Sequence, residues 1–174
     1  IVQLYDFGRI KNLLFHSMEY VRGQNLISIM QTMAASQAPI NIEVICYVFT
    51  EVLRGLDQAH RHRDRFGNSL NIIHRDMSNS NIIISYDGQV KIADFGIAKV
   101  ASKFGKTETD LVAGKLAYMS PEQAQGLPLD ARTDLFSLGI VLWELTAGRR
   151  LYGKRPAAEI LELLKHHEIP SPRH

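Results

Sequence analysis

The sequence contains a single cysteine, Cys46, among its 174 residues, so no disulfide can form within the chain. It has no apolar run near the roughly 18 residues that a membrane-spanning helix needs, and it does not open with the basic-then-apolar layout of a signal peptide. The formal net charge is only +2, without the clustered basicity of nucleic-acid-binding proteins. These absences predict a protein of a reducing, cytoplasmic compartment, with no membrane segment in this chain and no nucleic-acid partner.

The sequence does contain enough apolar residues for one sizeable core. It is 45% hydrophobic and 22% charged, which is typical of a globular domain. Cys46 lies among apolar residues and is therefore expected to be a buried structural thiol. The chain does not begin with Met and opens directly on strand-like alternation, so we expect it to be part of a longer protein.

Hydrophobic periodicity predicts a few strands followed mainly by helices. Alternation at 2–7 and 13–21 predicts a hairpin with the turn GRIKN, and Asp87-Gly88 predicts a second hairpin between NIIIS and VKIAD. Asn41 is a plausible N-cap for a helix whose apolar residues recur at 45, 48, 49, 52, 53 and 56. The stretch 134–145 predicts a helix buried on all sides, and Pro156 begins a last amphipathic helix. The predicted class is α+β.

The triplet His-Arg-Asp occurs twice, at 62–64 and at 74–76. A phosphoryl-transfer site needs a carboxylate near the acceptor hydroxyl and oxygen ligands for Mg²⁺, and the spacing of such ligands separates the two triplets. Five residues after Asp64 stands Ser69, whereas five residues after Asp76 stands Asn81, whose amide oxygen can bind a hard metal ion. The spacing therefore favours Asp76 and predicts that 62–64 lies in a solvated loop.

The second triplet begins a series of motifs in a fixed order. The series is His74-Arg75-Asp76, Asn81, Asp94-Phe95-Gly96, Ser120-Pro121-Glu122 and Asp134. With these motifs the sequence resembles a bacterial member of the eukaryotic-like Ser/Thr protein kinases over essentially its whole length. The resemblance implies a protein-kinase-like fold, with residues 1–21 forming a remnant β-hairpin of the N-lobe and the hinge, and 22–174 forming an incomplete, mostly helical C-lobe.

The resemblance implies ATP- and Mg²⁺-dependent phosphoryl transfer to Ser or Thr hydroxyls of a protein substrate. Asp76 would be the catalytic base, and Asn81 and Asp94 would be the Mg²⁺ ligands. The residues that the resemblance implies around the nucleotide are Met18 behind the adenine, the backbone of Glu19 and Val21 at its edge, Asn25 at the ribose, and the apolar side chains of Val21, Leu26, Ile82 and Ile83.

An activation segment spanning 94–122 is also implied. Arg75 would pair with a phosphate on Thr107 or Thr109, because a phosphate docked on an arginine can order such a loop. From the residues alone, the two threonines could equally be ordinary polar loop residues. Modification of at least one of them is the reading that the resemblance favours.

Four further residues have structural roles in the resemblance. His74 would stack on Phe95 in an internal apolar column below Leu4. Asp134 would hold the backbone of the catalytic loop, or act simply as a helix N-cap. Glu122 would pair with an arginine near the end of the lobe, beyond the end of this chain.

Two positions depart from the family pattern in a related way. Two residues after the base, the family usually carries a lysine that neutralises the transferring phosphate, and here Ser78 stands there. In the activation segment, the family's threonine is replaced by Lys115. We expect that Lys115 reaches across the cleft towards Asp76, with Ser78 supplying a second hydrogen bond. The alternative is that Ser78 reflects lost activity and Lys115 is a solvated charge.

The family's Gly-rich loop, strand lysine and helix glutamate would precede the first strand of this chain, so the fragment alone is expected to have little activity while its parent is an active kinase. A pseudokinase that serves as a binding or scaffold module is the alternative, and a small-molecule phosphotransferase is a third possibility. The long activation segment and Ser120-Pro121-Glu122 favour a protein substrate over a small one.

Overall fold

Two small antiparallel sheets are followed by helices along the chain. The computed structural model describes residues 1–11, 13–36, 41–95, 114–166, 169 and 171–172. The strands are β1 (Leu4–Ile10), β2 (Leu13–Met18), β3 (Gly23–Asn25), β4 (Ile82–Ser85) and β5 (Val90–Ile92). The helices are α1 (Leu26–Ser36), α2 (Ile42–His60), α3 (Pro121–Ala124), α4 (Arg132–Ala147) and α5 (Ala157–His166). This arrangement confirms the predicted α+β class.

The first sheet is the predicted N-terminal hairpin. Strands β1 and β2 pair antiparallel from Leu4 opposite Met18 to Ile10 opposite Leu13. Strand β1 extends through Gly8–Ile10, which the sequence placed in the turn, because the chain reverses more tightly than expected. The hairpin leaves large apolar side chains in solvent, including Phe7 at 71% and Leu13 at 76% exposure. The backbone joins the second sheet where Val2 N–H donates to Ile92 O at 2.8 Å.

The second sheet has the order β3-β4-β5 and contains the other predicted hairpin. Gly88 reverses the chain between β4 and β5 with φ 85°, a left-handed conformation that glycine adopts without steric cost. Strand β3 was not predicted. It pairs along β4 through Gly23, where a Cβ atom would overlap the Ile84 carbonyl oxygen, so only glycine allows this close approach.

Helix α2 begins where the sequence predicts. The Asn41 side-chain oxygen accepts from Glu43 N–H at 2.8 Å, which caps the helix. Its buried face carries Ile45, Val48, Phe49, Val52, Leu56 and Ala59. Two predictions on this helix are wrong: Cys46 is exposed, and Leu53 is 43% exposed. Each follows a buried residue directly, and a step of about 100° along the helix turns it away from the core.

Helix α4 packs beside α2 in the main core. Val52 of α2 and Val141 of α4 are both completely buried in one cluster. The prediction of burial on all sides is only partly correct, because Leu135 and Leu142 remain 46% and 39% exposed. Helix α5 forms as predicted and packs Ile160 and Leu164 into a second cluster around Trp143. None of the helices in the described part of the chain is long and apolar enough to span a membrane.

Candidate active site

The loop that carries the second His-Arg-Asp triplet is held in place by hydrogen bonds to helix α4. The side chain of Asp134 is fully buried, and its two carboxylate oxygens accept the N–H groups of His74 and Arg75 at 2.8 Å each. The Oδ2 atom also lies 2.7 Å from His60 Nε2. One carboxylate at the start of α4 therefore fixes two consecutive peptide groups of the loop. His60 was not singled out from the sequence, because its partner lies 74 positions away.

The imidazole of His74 is built into the core beneath this loop. Its Nε2 lies 2.9 Å from Ala93 O, its Nδ1 accepts from Asp76 N–H at 3.2 Å, and its ring lies 4.5 Å from that of Phe95. These bonds fit a neutral ring that donates at Nε2 and accepts at Nδ1. Burial lowers the pKa of His74, and this effect outweighs the nearby carbonyl and carboxylates that would raise it.

Asp76 and Asn81 are joined through the backbone at the top of the loop. Asn81 Nδ2 donates to Asp76 O at 2.7 Å, and its Oδ1 atom accepts from the Ser80 hydroxyl at 3.3 Å. The Asn81 carbonyl accepts from Ala93 N–H at 2.8 Å, so the amide stands beside the end of β5. The carboxylate of Asp76 remains partly open to solvent, with 21% of its side chain exposed.

Asp94 follows directly after that junction with Asn81. Its carboxylate is 56% exposed and lies 3.8 Å from His16 Nε2 on β2. Its backbone has φ 55°, and that of Arg75 has φ 65°. Left-handed conformations in residues other than glycine cost energy and persist only where surrounding contacts hold them. Asn81 is bonded both to Asp76 and to Ala93, the residue before Asp94, so Asp76, Asn81 and Asp94 lie at one end of the β4–β5 hairpin although they are up to 18 positions apart in sequence.

Lys115 and Asp76 face each other across a small pocket. Lys115 Nζ lies 4.0 Å from Asp76 Oδ2, and both residues line the pocket together with Met119. Ser78 does not take part in this contact, contrary to the sequence-based expectation. Its hydroxyl lies 2.8 Å from the Ser80 hydroxyl, because the turn of the loop brings these two side chains together.

Arg75 lines the same pocket and is also held by helix α3. Gln123 Nε2 donates to Arg75 O at 2.9 Å, while the Gln123 side-chain oxygen accepts from Ser120 N–H in a capping box. Thr107, Thr109 and Gly96 lie outside the described residues.

Glu122 sits at the first turn of α3 and is bonded to helix α4. Its Oε1 accepts from the Thr133 hydroxyl at 2.7 Å. Burial alone would raise the pKa of Glu122, but hydrogen bonds from Thr133, the backbone and Ser120 together hold that pKa below its usual range. In the described residues, a threonine on α4 is thus a partner of this carboxylate, and the arginine implied by the family resemblance stays a prediction.

The region predicted to receive the nucleotide lies after the first hairpin. Glu19 N–H donates to Gln3 O at 2.9 Å, and its side chain pairs with Lys91 at 2.8 Å. The hydrogen bond from Lys91 is the largest of the effects that lower the pKa of Glu19. Within the described residues, no backbone bond engages the Glu19 carbonyl or the Val21 N–H. Met18 and Ile83 are partly exposed beside them.

Three residues predicted to contact the nucleotide also cap a helix or pack in the core. The Asn25 side-chain oxygen accepts from Ser28 N–H at 3.0 Å and so caps helix α1. Leu26 is only 4% exposed and belongs to the main core, as does Ile82 at 0%. Leu4, expected in an apolar column with His74, is 50% exposed on β1.

A buried polar network was missed from the sequence. Asn79 Nδ2 donates to the Tyr118 hydroxyl at 3.0 Å and to Glu144 Oε2 at 2.8 Å, and the Tyr118 hydroxyl donates to the same oxygen at 2.7 Å. Burial raises the pKa of Tyr118, and the carboxylate of Glu144 raises it further. The network joins the loop of the second His-Arg-Asp triplet, the segment before α3 and helix α4. No sequence pattern predicts such long-range polar partners.

The first His-Arg-Asp triplet forms a separate polar turn. The Asp64 side chain accepts from the N–H groups of Phe66 and Asn68, at 2.8 and 2.9 Å. Arg63 pairs with Ser69 in an isolated β-bridge. The carboxylate of Asp64 is thus used to close its own loop.

Comparison with known proteins shows the family to which this chain belongs. Residues 1–171 match the family described as "Protein kinase domain". The chain belongs to the protein kinase domain family. The resemblance noted from the sequence is therefore confirmed, together with the kinase-like fold class.

Several bacterial kinases are similar to this kinase domain along nearly its whole length. It is 36% identical to "Tyrosine-protein kinase MasK" of Myxococcus xanthus over 99% of the chain and 27% of that protein. It is 35% identical to "Probable serine/threonine-protein kinase PknB" of Lactococcus lactis over 98% of the chain and 25% of that protein. It is 33% identical to "Serine/threonine-protein kinase PrkC" of Bacillus subtilis over 99% of the chain and 24% of that protein. The chain thus spans about a quarter of the length of these relatives.

Proposed function

We propose that this kinase domain transfers the γ-phosphoryl group of ATP to serine or threonine hydroxyls of a protein substrate. The observation that carries the proposal is the convergence of Asp76, Asn81 and Asp94 at one end of the β4–β5 hairpin. A carboxylate base and two hard oxygen donors are the groups that phosphoryl transfer requires from a protein. An intact set of this kind favours an active kinase over a pseudokinase.

Asp76 acts in this proposal on the acceptor hydroxyl. Its carboxylate is partly exposed in the pocket and its peptide is fixed by Asn81 and His74, so it can orient the hydroxyl and accept its proton. The acceptor oxygen bonds to the γ-phosphorus as the bond from that phosphorus to ADP breaks. The electron pair of the breaking bond remains on ADP.

Asn81 and Asp94 fit a magnesium ion by their chemistry and placement. The amide nitrogen of Asn81 donates to Asp76 O. Its side-chain oxygen accepts from the Ser80 hydroxyl at 3.3 Å and has a second lone pair for a metal ion, and the side chain of Asp94 is 56% exposed. Oxygen donors of this kind are what Mg²⁺ prefers. When bound, the ion would neutralise phosphate charge, and the work of these residues is to hold it beside the β4–β5 hairpin.

The adenine end of the nucleotide would lie at Glu19 and Val21. The Glu19 carbonyl and the Val21 N–H offer one acceptor and one donor two residues apart, which matches the edge of an adenine base. In this proposal residues 1–21 are the end of the N-lobe with the hinge, and 22–174 belong to the C-lobe. The nucleotide would also contact four side chains near these two residues. Met18 would lie behind the adenine, Leu26 and Ile83 would provide apolar surface around it, and the amide nitrogen of Asn25 would donate to the ribose.

The choice of Ser and Thr over Tyr rests on the names of two of the three relatives described above. The third is named a tyrosine kinase, so phosphoamino-acid analysis of labelled substrate is the direct test. Phosphotyrosine as the main product would contradict the proposed acceptor class while leaving the kinase reaction in place.

Replacement of the base tests the function itself. In the full-length protein, Asp76→Asn should abolish turnover and leave ATP affinity nearly unchanged, because Asp76 acts on the acceptor. Asp64→Asn in the other triplet is the matched control and should keep normal kcat, since that carboxylate only closes a polar turn. Normal kcat in Asp76→Asn would show that the assigned base is wrong.

A further inference from the structure

We propose that Lys115 supplies the cation that stabilises the transferring phosphoryl group, so that this catalytic charge is carried by the activation segment. The proposal rests on the kinase reaction proposed above and names one more residue that acts in it. Four observations support it: the composition of the catalytic loop, the position of Lys115 opposite the base, the contacts that place it there, and the bonding of Ser78.

Apart from Arg75, which precedes the base, the catalytic loop supplies no cation near the reacting atoms. Between Asp76 and Asn81 the sequence is Met-Ser-Asn-Ser, and none of these side chains is charged. The hydroxyls of Ser78 and Ser80 bond to each other at 2.8 Å, and that of Ser80 lies 3.3 Å from Asn81 Oδ1. They therefore support the metal-binding amide, whereas the negative charge of the transferring group requires a cation from another element.

Lys115 is in place to provide that cation. Its Nζ lies 4.0 Å from Asp76 Oδ2, which is beyond hydrogen-bonding distance but leaves both groups facing one pocket. The lysine side chain is 62% exposed, so its flexible stem can shift towards a third charged group placed between it and the base. Arg75 also lines this pocket, and its backbone carbonyl accepts from Gln123 at 2.9 Å.

The position of Lys115 is set by buried contacts three residues farther along. Tyr118 N–H donates to Lys115 O at 3.4 Å, which places both residues in one turn. The Tyr118 carbonyl accepts from the Ser137 hydroxyl at 2.7 Å, and its own hydroxyl is bonded to Asn79 and Glu144. Helix α4 and the catalytic loop together therefore hold the turn that aims the lysine at Asp76.

In this arrangement, the catalytic charge is present in the site only when the segment that carries Lys115 is docked. A lysine on the catalytic loop would face the phosphate in every state of the segment, but Lys115 faces it only while Tyr118 is docked on Glu144. Asp76 still receives the acceptor proton and ADP still leaves with its electron pair. Lys115 keeps its own protons and acts by charge alone.

The test compares turnover with the binding of a transition-state mimic. In the full-length protein, Lys115→Ala should lower kcat by roughly 100-fold, as removal of one transition-state donor typically does. Calorimetry should show a similar loss of affinity for Mg·ADP with aluminium fluoride, whereas ATP affinity should change little, because the contact strengthens only in the transition state. Lys154→Ala, at an exposed turn residue, is the matched control and should behave as the parent protein.

A second pair of variants exchanges the two side chains. Lys115→Thr should be as impaired as Lys115→Ala, and adding Ser78→Lys to it should recover about tenfold or more of the lost rate, because it restores a cation near the phosphate. If kcat and the affinity for the mimic in Lys115→Ala both stay within about threefold of the parent values, the proposal is overturned. That result beside an inactive Asp76→Asn would refute only the role of Lys115, whereas an active Asp76→Asn would refute the proposed function.

Discussion

Asp134 Oδ2 accepts the backbone N–H of His74 at 2.8 Å, although the two residues lie 60 positions apart in the sequence. The same carboxylate accepts the next N–H, that of Arg75, at its other oxygen. A buried charge is tolerated in a protein when hydrogen bonds surround it, and here they come from the loop that carries Asp76, the proposed catalytic base. The stability of helix α4 and the shape of the active site are therefore linked through one side chain.

Removal of this carboxylate should destabilise the domain. Asp134→Ala removes the acceptor of the buried His74 N–H and of the partly buried Arg75 N–H, and a buried N–H group without a partner costs about 1–3 kcal/mol. The free energy of unfolding, measured by urea denaturation, should fall accordingly. Asp57→Ala, which removes an exposed carboxylate from α2, is the control and should leave the unfolding midpoint in place. Equal midpoints for Asp134→Ala and the parent protein would contradict the buried role of Asp134.

Acid should weaken the fold through His74. Because burial lowers its pKa, the folded protein resists protonation while the unfolded chain takes up a proton near the ordinary histidine pKa of about 6.5. The stabilising effect of the neutral ring is complete above that pH and is lost as the pH falls below it. Protonation would also remove the acceptor for Asp76 N–H.

The measurement is the free energy of unfolding against pH, between about pH 7.5 and 5.5. His74→Phe should flatten the curve, because phenylalanine does not titrate, even if the variant is less stable throughout. His62→Phe, in the exposed polar turn, should keep the slope of the parent protein. If the free energy of unfolding of the parent protein rises on acidification, the prediction that folding lowers the pKa of His74 is wrong.

Asp94 should control the affinity for the metal. Asp94→Asn removes one negative charge from the proposed metal site, and loss of even an outer partner of a metal ligand commonly costs 10–100-fold in affinity. Calorimetric titration of ATP at varied Mg²⁺ should therefore show that at least a tenfold higher Mg²⁺ concentration is needed for its half-maximal effect on ATP binding. Asp87→Asn, at the β4–β5 turn, should have no effect. Unchanged Mg²⁺ dependence in Asp94→Asn would remove Asp94 from the metal site.

Phosphorylation of Thr107 or Thr109 should activate the kinase through Arg75. One charge-assisted pair contributes roughly 1.5–3 kcal/mol, enough to shift a loop equilibrium about tenfold or more. Activity should rise during incubation with ATP, and it should stay low when both threonines are changed to alanine. Thr32→Ala on helix α1 is the control. Mass spectrometry that finds neither threonine modified in active protein would refute this prediction.

Local sequence patterns predicted the elements whose stability depends on local contacts. The cap at Asn41 and the turn at Gly88 were readable because each depends on residues a few positions away. Strand β3 was missed because three residues carry too little periodicity, and its pairing depends on Gly23 reaching a distant strand. Cys46 was placed on the wrong face because apolar neighbours do not reveal which way a helix turns.

The candidate site was predictable to the extent that its residues form ordered motifs. The gathering of Asp76, Asn81 and Asp94 follows from a triplet, a spacing and a hairpin. The bond between Asn79 and Glu144 spans 65 positions, and polar partners of this kind are chosen by tertiary packing. The pairing of Ser78 with Ser80 depends likewise on the course of the loop. Sequence spacing alone therefore could not show that the Ser78 hydroxyl bonds to Ser80.

The left-handed backbone at Arg75 and Asp94 has a consequence for genetics. Neither residue would hold that conformation by itself, so the two loops adopt the observed conformation only when contacts with α4 and the β4–β5 hairpin stabilise it. A screen that scores phosphorylation should therefore recover inactivating substitutions on the buried side of α4, at positions that no substrate touches. Such variants would retain every catalytic side chain and still be scored as catalytic mutants.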